Sequence, residues 1–456
     1  MHVLVAGAGI IGLTTAVGLR AAGHAVQLVA PELAAVLAGP APDPSRLKVA
    51  GATHAAAGML APVAETQHGQ DALGPLLRRA WAGWPVLIEL LTAAGAGSTG
   101  HRTEGSWIVA ADAADRDAWA HLLARTGPDD GRLTPVTARA LRSASPALAP
   151  GLAGGWDAPD DHQVDPRALA ATLLRALIRP ARDVLPGPLA RLTAGQVTEA
   201  VQEEEHVRVR IRPAGDGGVQ GDAPGEPVPT SDAGRRPEAA GEAEATADVA
   251  VLAAGLGHGQ IAGDPTATPL PLRPVHGDVL RLRVPADQLL PGEDHLLDRT
   301  VRGLVHGRQV YLVPRADGTL VVGATAREDR LAGTRAGGVL DLLQDACTLV
   351  PALRDCELHQ VHTAARPGTP DDRPCLGALP HAPRIVVSTG YHRHGILLAP
   401  WAAEAGCALA EHAGGVLPQI DPALAATLAA ADPARFDGTS AHASTTCQSD
   451  ARSAHA

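Results

Sequence analysis

The chain opens on Gly7-Ala-Gly9-Ile-Ile-Gly12, set between the apolar run His2-Val-Leu-Val-Ala6 and a stretch of apolar helix formers. No other feature narrows the fold as far. The run before it has the apolar, β-branched character of a buried parallel strand. The first glycine permits a tight turn, and the second lets the backbone approach a pyrophosphate. The third lets the helix pack closely on the strand, with its positive N-terminus facing the anion. The spacing alone is weak evidence; its place between a strand and a helix gives it weight. A helix is expected from about Gly12 to Ala22, ended by Gly23, followed by a second strand, Val26-Gln-Leu-Val29. This is the βαβ opening of a doubly wound α/β fold.

The motif does not choose between NAD and FAD. The second strand of such a unit normally ends in an acid that binds the adenosine ribose. Here that corner is Ala30-Pro31, and the nearest acid is Glu32. Either Glu32 reaches the ribose, or backbone and water do.

At 456 residues the chain has room for two or three domains. Its formal net charge of −11 argues against a nucleic-acid binder, which needs a basic face. Five cysteines, at 347, 356, 375, 407 and 447, are odd in number and lack C-x-x-C spacing. Neither a disulfide framework nor a thiolate zinc site is expected, and a cytoplasmic location is. His2 to Leu19 lacks the basic lead of a signal peptide, and no later run approaches the roughly 20 apolar residues of a membrane span. There are only two tyrosines, Tyr311 and Tyr391, so each stands out as a polar handle.

Along the chain, residues 75 to 150 read as helices alternating with short strands. Trp81, Trp84, Ile88 and Leu91 share helical spacing and are read as core. Asp165-Pro166 starts a helix, since Asp caps free N–H groups and Pro suits the first turn. Leu169, Leu173 and Leu177 form its buried stripe, and Pro180 ends it. Val207 to Arg212 alternates like a half-exposed strand. Ala214 to Ala247 then holds seven Gly, four Pro and seven acids without Leu, Ile or an aromatic. Such a stretch cannot bury enough apolar surface to offset ordering entropy, so 214–247 is expected to be a disordered insertion. Structure is expected to resume at Val249 and to fray from about Asp437, leaving 437–456 as a disordered tail.

A second small-residue motif is Ala52-Thr-His-Ala-Ala-Ala-Gly58-Met-Leu-Ala-Pro62. It lets backbone press against a flat ligand, and reads equally well as a helix start in a crowded core. His54 within it is read as a surface or capped histidine. Arg366 lies in the small, apolar stretch Thr-Ala-Ala-Arg-Pro-Gly-Thr, where an unpaired guanidinium would be costly; the alternatives are a ligand partner or a surface turn. His392 and His394 have no third ligand near them in sequence, so no metal site is expected.

Together these segments resemble the D-amino acid oxidase superfamily of FAD enzymes, most closely its glycine oxidase branch. Further stretches agree in family order: Trp156 to Pro166, Tyr311 to Thr325, Arg366 to Pro374, Gly390 to Pro400, and Asp432 to Phe436. The resemblance implies a discontinuous FAD domain (1–75, 140–265 and 360–436) and a substrate domain on an antiparallel sheet (76–139 and 266–359). It implies that Gly7, Gly9, Ile10, Ile11, Gly12, Ala30, Pro31 and the backbone of Val197 hold the adenosine half of FAD. Ala52, Thr53, Ala57, Gly58 and Met59 would line the pyrophosphate and flavin. Tyr391, His392, Arg393, His394, Gly395, Ile396 and Leu397 would wrap the flavin. Arg366 and Tyr311 would take a substrate carboxylate, with Arg393 close by. For Tyr311 the alternative is a strand residue with a solvent-facing hydroxyl, and for Arg393 a structural ion pair.

Relatives with covalent flavin carry a cysteine near position 364. Here that place is Ala364, so non-covalent FAD is expected. The implied reaction is oxidative deamination of glycine or small D-amino acids. Hydride passes from Cα to the flavin without a catalytic side-chain base, and O2 reoxidation gives peroxide. In this branch the imine can instead feed the thiazole of thiamine. A broad D-amino acid oxidase, a quinone-linked dehydrogenase and a flavin fold without activity remain alternatives. The branch can narrow its pocket just after Gly-Ala-Thr; here Ala326, with Ala61 and Ala64, leads to an expectation of a roomy pocket. The expected partners are a small amino acid and O2, with no nucleic acid or membrane; homo-oligomerisation is left open.

Overall fold

The computed structural model describes residues 1–436 except 66, 68, 127–132, 215–240, 264–268, 290–291, 330 and 419. Two large sheets organise the molecule. The first has a parallel centre. His2–Ala6 lies between Ala25–Ala30 and Val249–Leu252; Arg191–Glu203 and Ala382–Thr389 extend it on either side, all parallel. His206–Pro213 and Cys375–Leu379 add antiparallel strands on the two sides, and Cys375–Leu379 forms one edge. Its central strands are buried on both faces, which is why they read as continuous apolar runs.

The helix Ile10–Ala21 packs on this sheet with Pro166–Ile178, Gly74–Ala93 and Ala399–Ala413. It begins two residues before the expected start, with Gly9 as its N-cap. Asp165 caps Pro166–Ile178 as expected, accepting from the N–H groups of Arg167 and Ala168. Leu169, Leu173 and Leu177 are buried, as are Trp84 and Leu91 of Gly74–Ala93.

The second sheet is mainly antiparallel, in the order Glu357–Gly368, Arg273–Arg283, Thr319–Gly323, Arg308–Pro314, Thr300–Val305, Ser106–Ala110, Gly154–Ala158, Thr134–Val136. Gly154–Ala158 and Glu357–Gly368 come largely from stretches that the resemblance places with the cofactor region, so the chain passes repeatedly between the sheets. The helix Ala336–Leu349 covers one face of the second sheet. The other face carries Ile108, Val279 and Tyr311 and packs on the loop from Ala57 to Ala64.

One expectation needs correction. The segment 214–247 is not without structure at its end: Ala243–Ala247 pairs antiparallel with His206–Pro213. An edge strand with a single neighbour needs backbone hydrogen bonds more than apolar side chains, and Ala245 and Ala247 supply what inward packing there is. Residues 215–240 and 437–456 lie outside the described residues. Among the described residues no helix is long and apolar enough to cross a membrane.

Candidate active site

A cavity of about 640 Å³ runs from the C-terminal end of the first sheet to the face of the second. Its first end is built by the turn after His2–Ala6. Gly7 holds a φ of +112°, a conformation an L side chain rarely adopts, and its N–H donates to the Val29 carbonyl at 2.8 Å. A Cβ on Gly12 would collide with the Gly7 carbonyl oxygen. The strand and helix therefore meet backbone to backbone. The first internal bond of the helix runs from Leu13 N–H to the Gly9 carbonyl at 3.0 Å, and Ile10 N–H donates to Thr53 Oγ1 at 3.1 Å. The helix thus presents its N-terminus to the cavity.

Gly7, Gly9, Ile10 and Ile11 line this end, with Pro31, Glu32 and Val197. Burial pushes the Glu32 carboxyl above its ordinary pKa. Gly12 and Ala30 do not line the cavity: Gly12 lies under the turn, and Ala30 points into the core beneath the helix.

The middle is formed by Ala52, Thr53, Ala57, Gly58 and Met59 on one side and Tyr391, His392, Arg393, His394, Gly395 and Ile396 on the other. Leu397 is outside it, fully buried in the core, with its carbonyl accepting from Trp84 Nε1 at 3.0 Å. His54 is not on the lining either. Its ring meets that of His362 edge-on, 4.7 Å away, and burial lowers its pKa to about 4, so it stays neutral. Burial also lowers His392 and His394 to about 3. Arg315, buried, clamps the Gly58 loop to the second sheet: it donates to the Ala57 carbonyl, to the Val164 carbonyl at 2.8 Å and to Gln163 Oε1 at 3.2 Å. No sequence signal gave Arg315 that task.

The far end is polar and cationic. Arg366 and Tyr311 come from separate strands and meet here, with Arg393. Two glycines make the room: a Cβ on Gly277 would strike the Arg366 guanidinium, and one on Gly323 would strike the Tyr311 hydroxyl. Arg366 Nη1 donates to the Thr325 carbonyl at 3.3 Å. Thr325 is held in turn by the buried Asp278 carboxylate, which also accepts from Thr363 at 2.6 Å. Burial lowers the Arg366 pKa and raises that of Tyr311. Both tyrosines of the chain line the cavity.

Two residues at this end went unnoticed in the sequence. Glu65, on the loop after the small-residue motif, is pushed up to about 7 by burial, against the pull of Arg302, Arg393 and Arg366. Arg302 lies directly across the strand pair from Tyr311. An arginine at an inward position of an otherwise apolar strand, Thr-Val-Arg-Gly-Leu-Val, was the available signal. The roomy-pocket expectation also fails in its grounds. Ala326 is exposed, and Ala61 and Ala64 are fully buried; none of them lines the cavity. Ala324, Ala364 and Ala365 line it instead, and no cysteine does.

A glycine-turned nucleotide cradle that opens into a polar pocket is the arrangement of a dinucleotide-dependent enzyme. A family model described as FAD dependent oxidoreductase matches residues 2–409, and the chain belongs to that family. It is 31% identical over 413 residues to the bifunctional protein ThiO/ThiG of Synechocystis sp., covering 87% of this chain and 50% of that one. The chain therefore spans about half the length of these relatives. A glycine oxidase from Bacillus subtilis is 40% identical over 91 residues, 20% of this chain and 25% of that one. Among solved structures, glycine oxidase from Geobacillus kaustophilus matches with a TM-score of 0.68 at 24% identity, covering 92% of this chain and 96% of that one. The family's cofactor is FAD, and the residues fit it. The turn leaves no side chain between backbone and a pyrophosphate, and the helix N-terminus faces the same place.

Proposed function

We propose that the protein oxidises the amino group of glycine or a small D-amino acid, with the substrate carboxylate bound by Arg366. The observation that carries this reading is the Arg366 guanidinium. It is half-buried on the cavity wall, its one described hydrogen bond goes to a carbonyl rather than a carboxylate, and Tyr311 lies beside it. A guanidinium fork meets a carboxylate with two charge-assisted hydrogen bonds, and the tyrosine hydroxyl adds a third donor. Arg393 adds charge at the same end.

FAD, which the Gly7–Ile11 turn and the Ala52–Met59 stretch would hold non-covalently, would supply the hydride-accepting and oxygen-reducing chemistry that yields hydrogen peroxide. The protein's part is orientation and exclusion of water. Arg366 and Tyr311 fix the carboxylate, and the apolar wall of Met59, Val279 and Ile396 keeps the reacting face dry. No side chain need abstract the Cα proton once the amine is neutral. The imine product hydrolyses or, in a thiamine-forming cell, enters the thiazole ring. The cofactor and substrate regions are proposed to follow the division read from the resemblance, except that Gly154–Ala158 and Glu357–Gly368 join the second sheet and Gly74–Ala93 packs on the first. Peroxide formed in air in equal amount to amino acid consumed, across glycine, sarcosine, D-alanine and D-proline, tests the reading. Turnover with a quinone but without peroxide would replace it with a dehydrogenase.

A further inference from the structure

Arg302 is not needed by the carboxylate clamp just described, yet it is only 6% exposed and lines the same cavity. Its strand, Thr300–Val305, pairs it with Tyr311, and its guanidinium carbon stands 5.9 Å over the tyrosine ring. A guanidinium carries five donors. Here one reaches Gln309 Oε1 at 3.5 Å, the outer limit of a hydrogen bond, and Nε is buried with no acceptor. Among the described residues Arg302 forms no ion pair.

A charge buried so deeply costs several kcal/mol unless it is paired. The nearby acids do not balance it at neutral pH. Burial pushes Glu65 up to about 7 and Asp161 up to about 8, so both are largely protonated or only half ionised there. The pocket holds three guanidiniums, of Arg302, Arg366 and Arg393, against a fraction of a carboxylate from Glu65. A substrate with one carboxylate offsets one of them. A surplus remains, and its buried member is Arg302.

We infer that Arg302 is a second anion-binding residue of the pocket and that the preferred substrates are amino acids with two acid groups. The second carboxylate belongs either to the side chain, as in D-aspartate or D-glutamate, or to a substituent on nitrogen, as in iminodiacetate. With the first carboxylate on Arg366, the second sits over the Tyr311 ring on the Arg302 side. This deepens the proposed amine oxidation and rests on it for the substrate's identity.

The test uses the FAD-loaded full chain. The yellow absorbance of the oxidised protein is titrated with malonate and succinate, and with acetate and propionate. These ligands cannot be oxidised, so the readout is binding alone. The dicarboxylates are expected to bind at least about tenfold more tightly, and Arg302→Met to remove that advantage, while Arg302→Lys keeps part of it. Turnover then compares D-aspartate, D-glutamate and iminodiacetate with glycine, D-alanine and sarcosine. The ratio of kcat/KM for diacid over monoacid is expected above about ten in the wild type and to fall at least tenfold in Arg302→Met. A high ratio with D-aspartate or D-glutamate places the second acid on the side chain, and one with iminodiacetate places it on nitrogen. Equal binding of mono- and dicarboxylates by the wild type overturns the inference, whether or not any variant folds. A dicarboxylate advantage that survives Arg302→Met overturns the role of Arg302. If dicarboxylates bind tightly through Arg302 but no amino acid is oxidised, the anion site stands and the amine-oxidation reading falls.

Discussion

The two ends of the cavity are built in opposite ways. The nucleotide end centres on one short turn with almost no side chains: Gly7 and Gly9 bring backbone to the cavity, Gly12 lets the helix close up beneath them, and Pro31, Glu32 and Val197 complete the wall. The substrate end comes from strands and loops hundreds of residues apart and works by charge: Arg302, Tyr311, Arg366, Arg393 and Glu65. A backbone cradle fails when anything is added. A charged pocket fails when something is taken away, or when its ionisation changes.

The largest expected effect therefore comes from adding atoms at the cradle. In Gly12→Val the new side chain strikes the Gly7 carbonyl, in the centre of the first sheet's contact with its helix. Overpacking against backbone costs on the order of 3 kcal/mol or more. The variant is expected to purify colourless, with a clearly lowered thermal midpoint; a yellow, equally stable Gly12→Val protein would break the contrast.

Removing charge at the other end comes next. Arg366→Ala is expected to lose roughly 3–5 kcal/mol of apparent substrate affinity while keeping FAD. Amines without a carboxylate should be far less affected. Normal amino acid kinetics in this variant would take Arg366 out of the site.

Ionisation has a smaller effect with a definite sign. Glu65 titrates near 7, so raising pH through that value places a negative charge among Arg302, Arg366 and Arg393. Anion binding should weaken by roughly threefold to tenfold across the step. The other groups facing this end do not reverse the sign. Asp161 near 8 acts in the same direction, Tyr311 ionises above its ordinary value, and His392 and His394 are already neutral. Acetate affinity measured against pH should show the fall, and Glu65→Gln should flatten the part near 7. A profile rising with pH would show that Glu65 does not face the ligand.

The smallest effect is expected from the stretch that follows His206–Pro213. Residues 215–240 contain no Leu, Ile or aromatic. Replacing them by a short turn between His206–Pro213 and Ala243–Ala247 should leave FAD content and turnover nearly unchanged. A large loss in either measurement would show that the stretch docks on the body or on a partner.

The same contrast explains what could be read from the sequence. The cradle is local, so its strand, turn and helix lie in one spacing pattern, and only Ala30, Gly12 and Leu397 had to be moved from lining to support. Arg366 and Tyr311 were legible through family resemblance and an odd polar residue in an apolar stretch. Arg302 and Glu65 were not, because their significance comes from strand pairing and from burial created by distant segments. The strand Ala243–Ala247 was missed because an edge is held by backbone bonds that composition does not reveal. Ala326 was misplaced because the loop after Gly323 turns it out to solvent.

The charged end is proposed to position an amino acid by its carboxylate so that the Cα hydrogen faces the cofactor end. Anaerobic mixing of the yellow protein with glycine, D-alanine and D-aspartate, and with ethylamine as a substrate without a carboxylate, tests it most directly. Rapid loss of the yellow band is expected with at least one of the amino acids, little change with ethylamine, and a slow response in Arg366→Ala. Bleaching by ethylamine as fast as by the amino acids, or no bleaching by any amino acid, would contradict it.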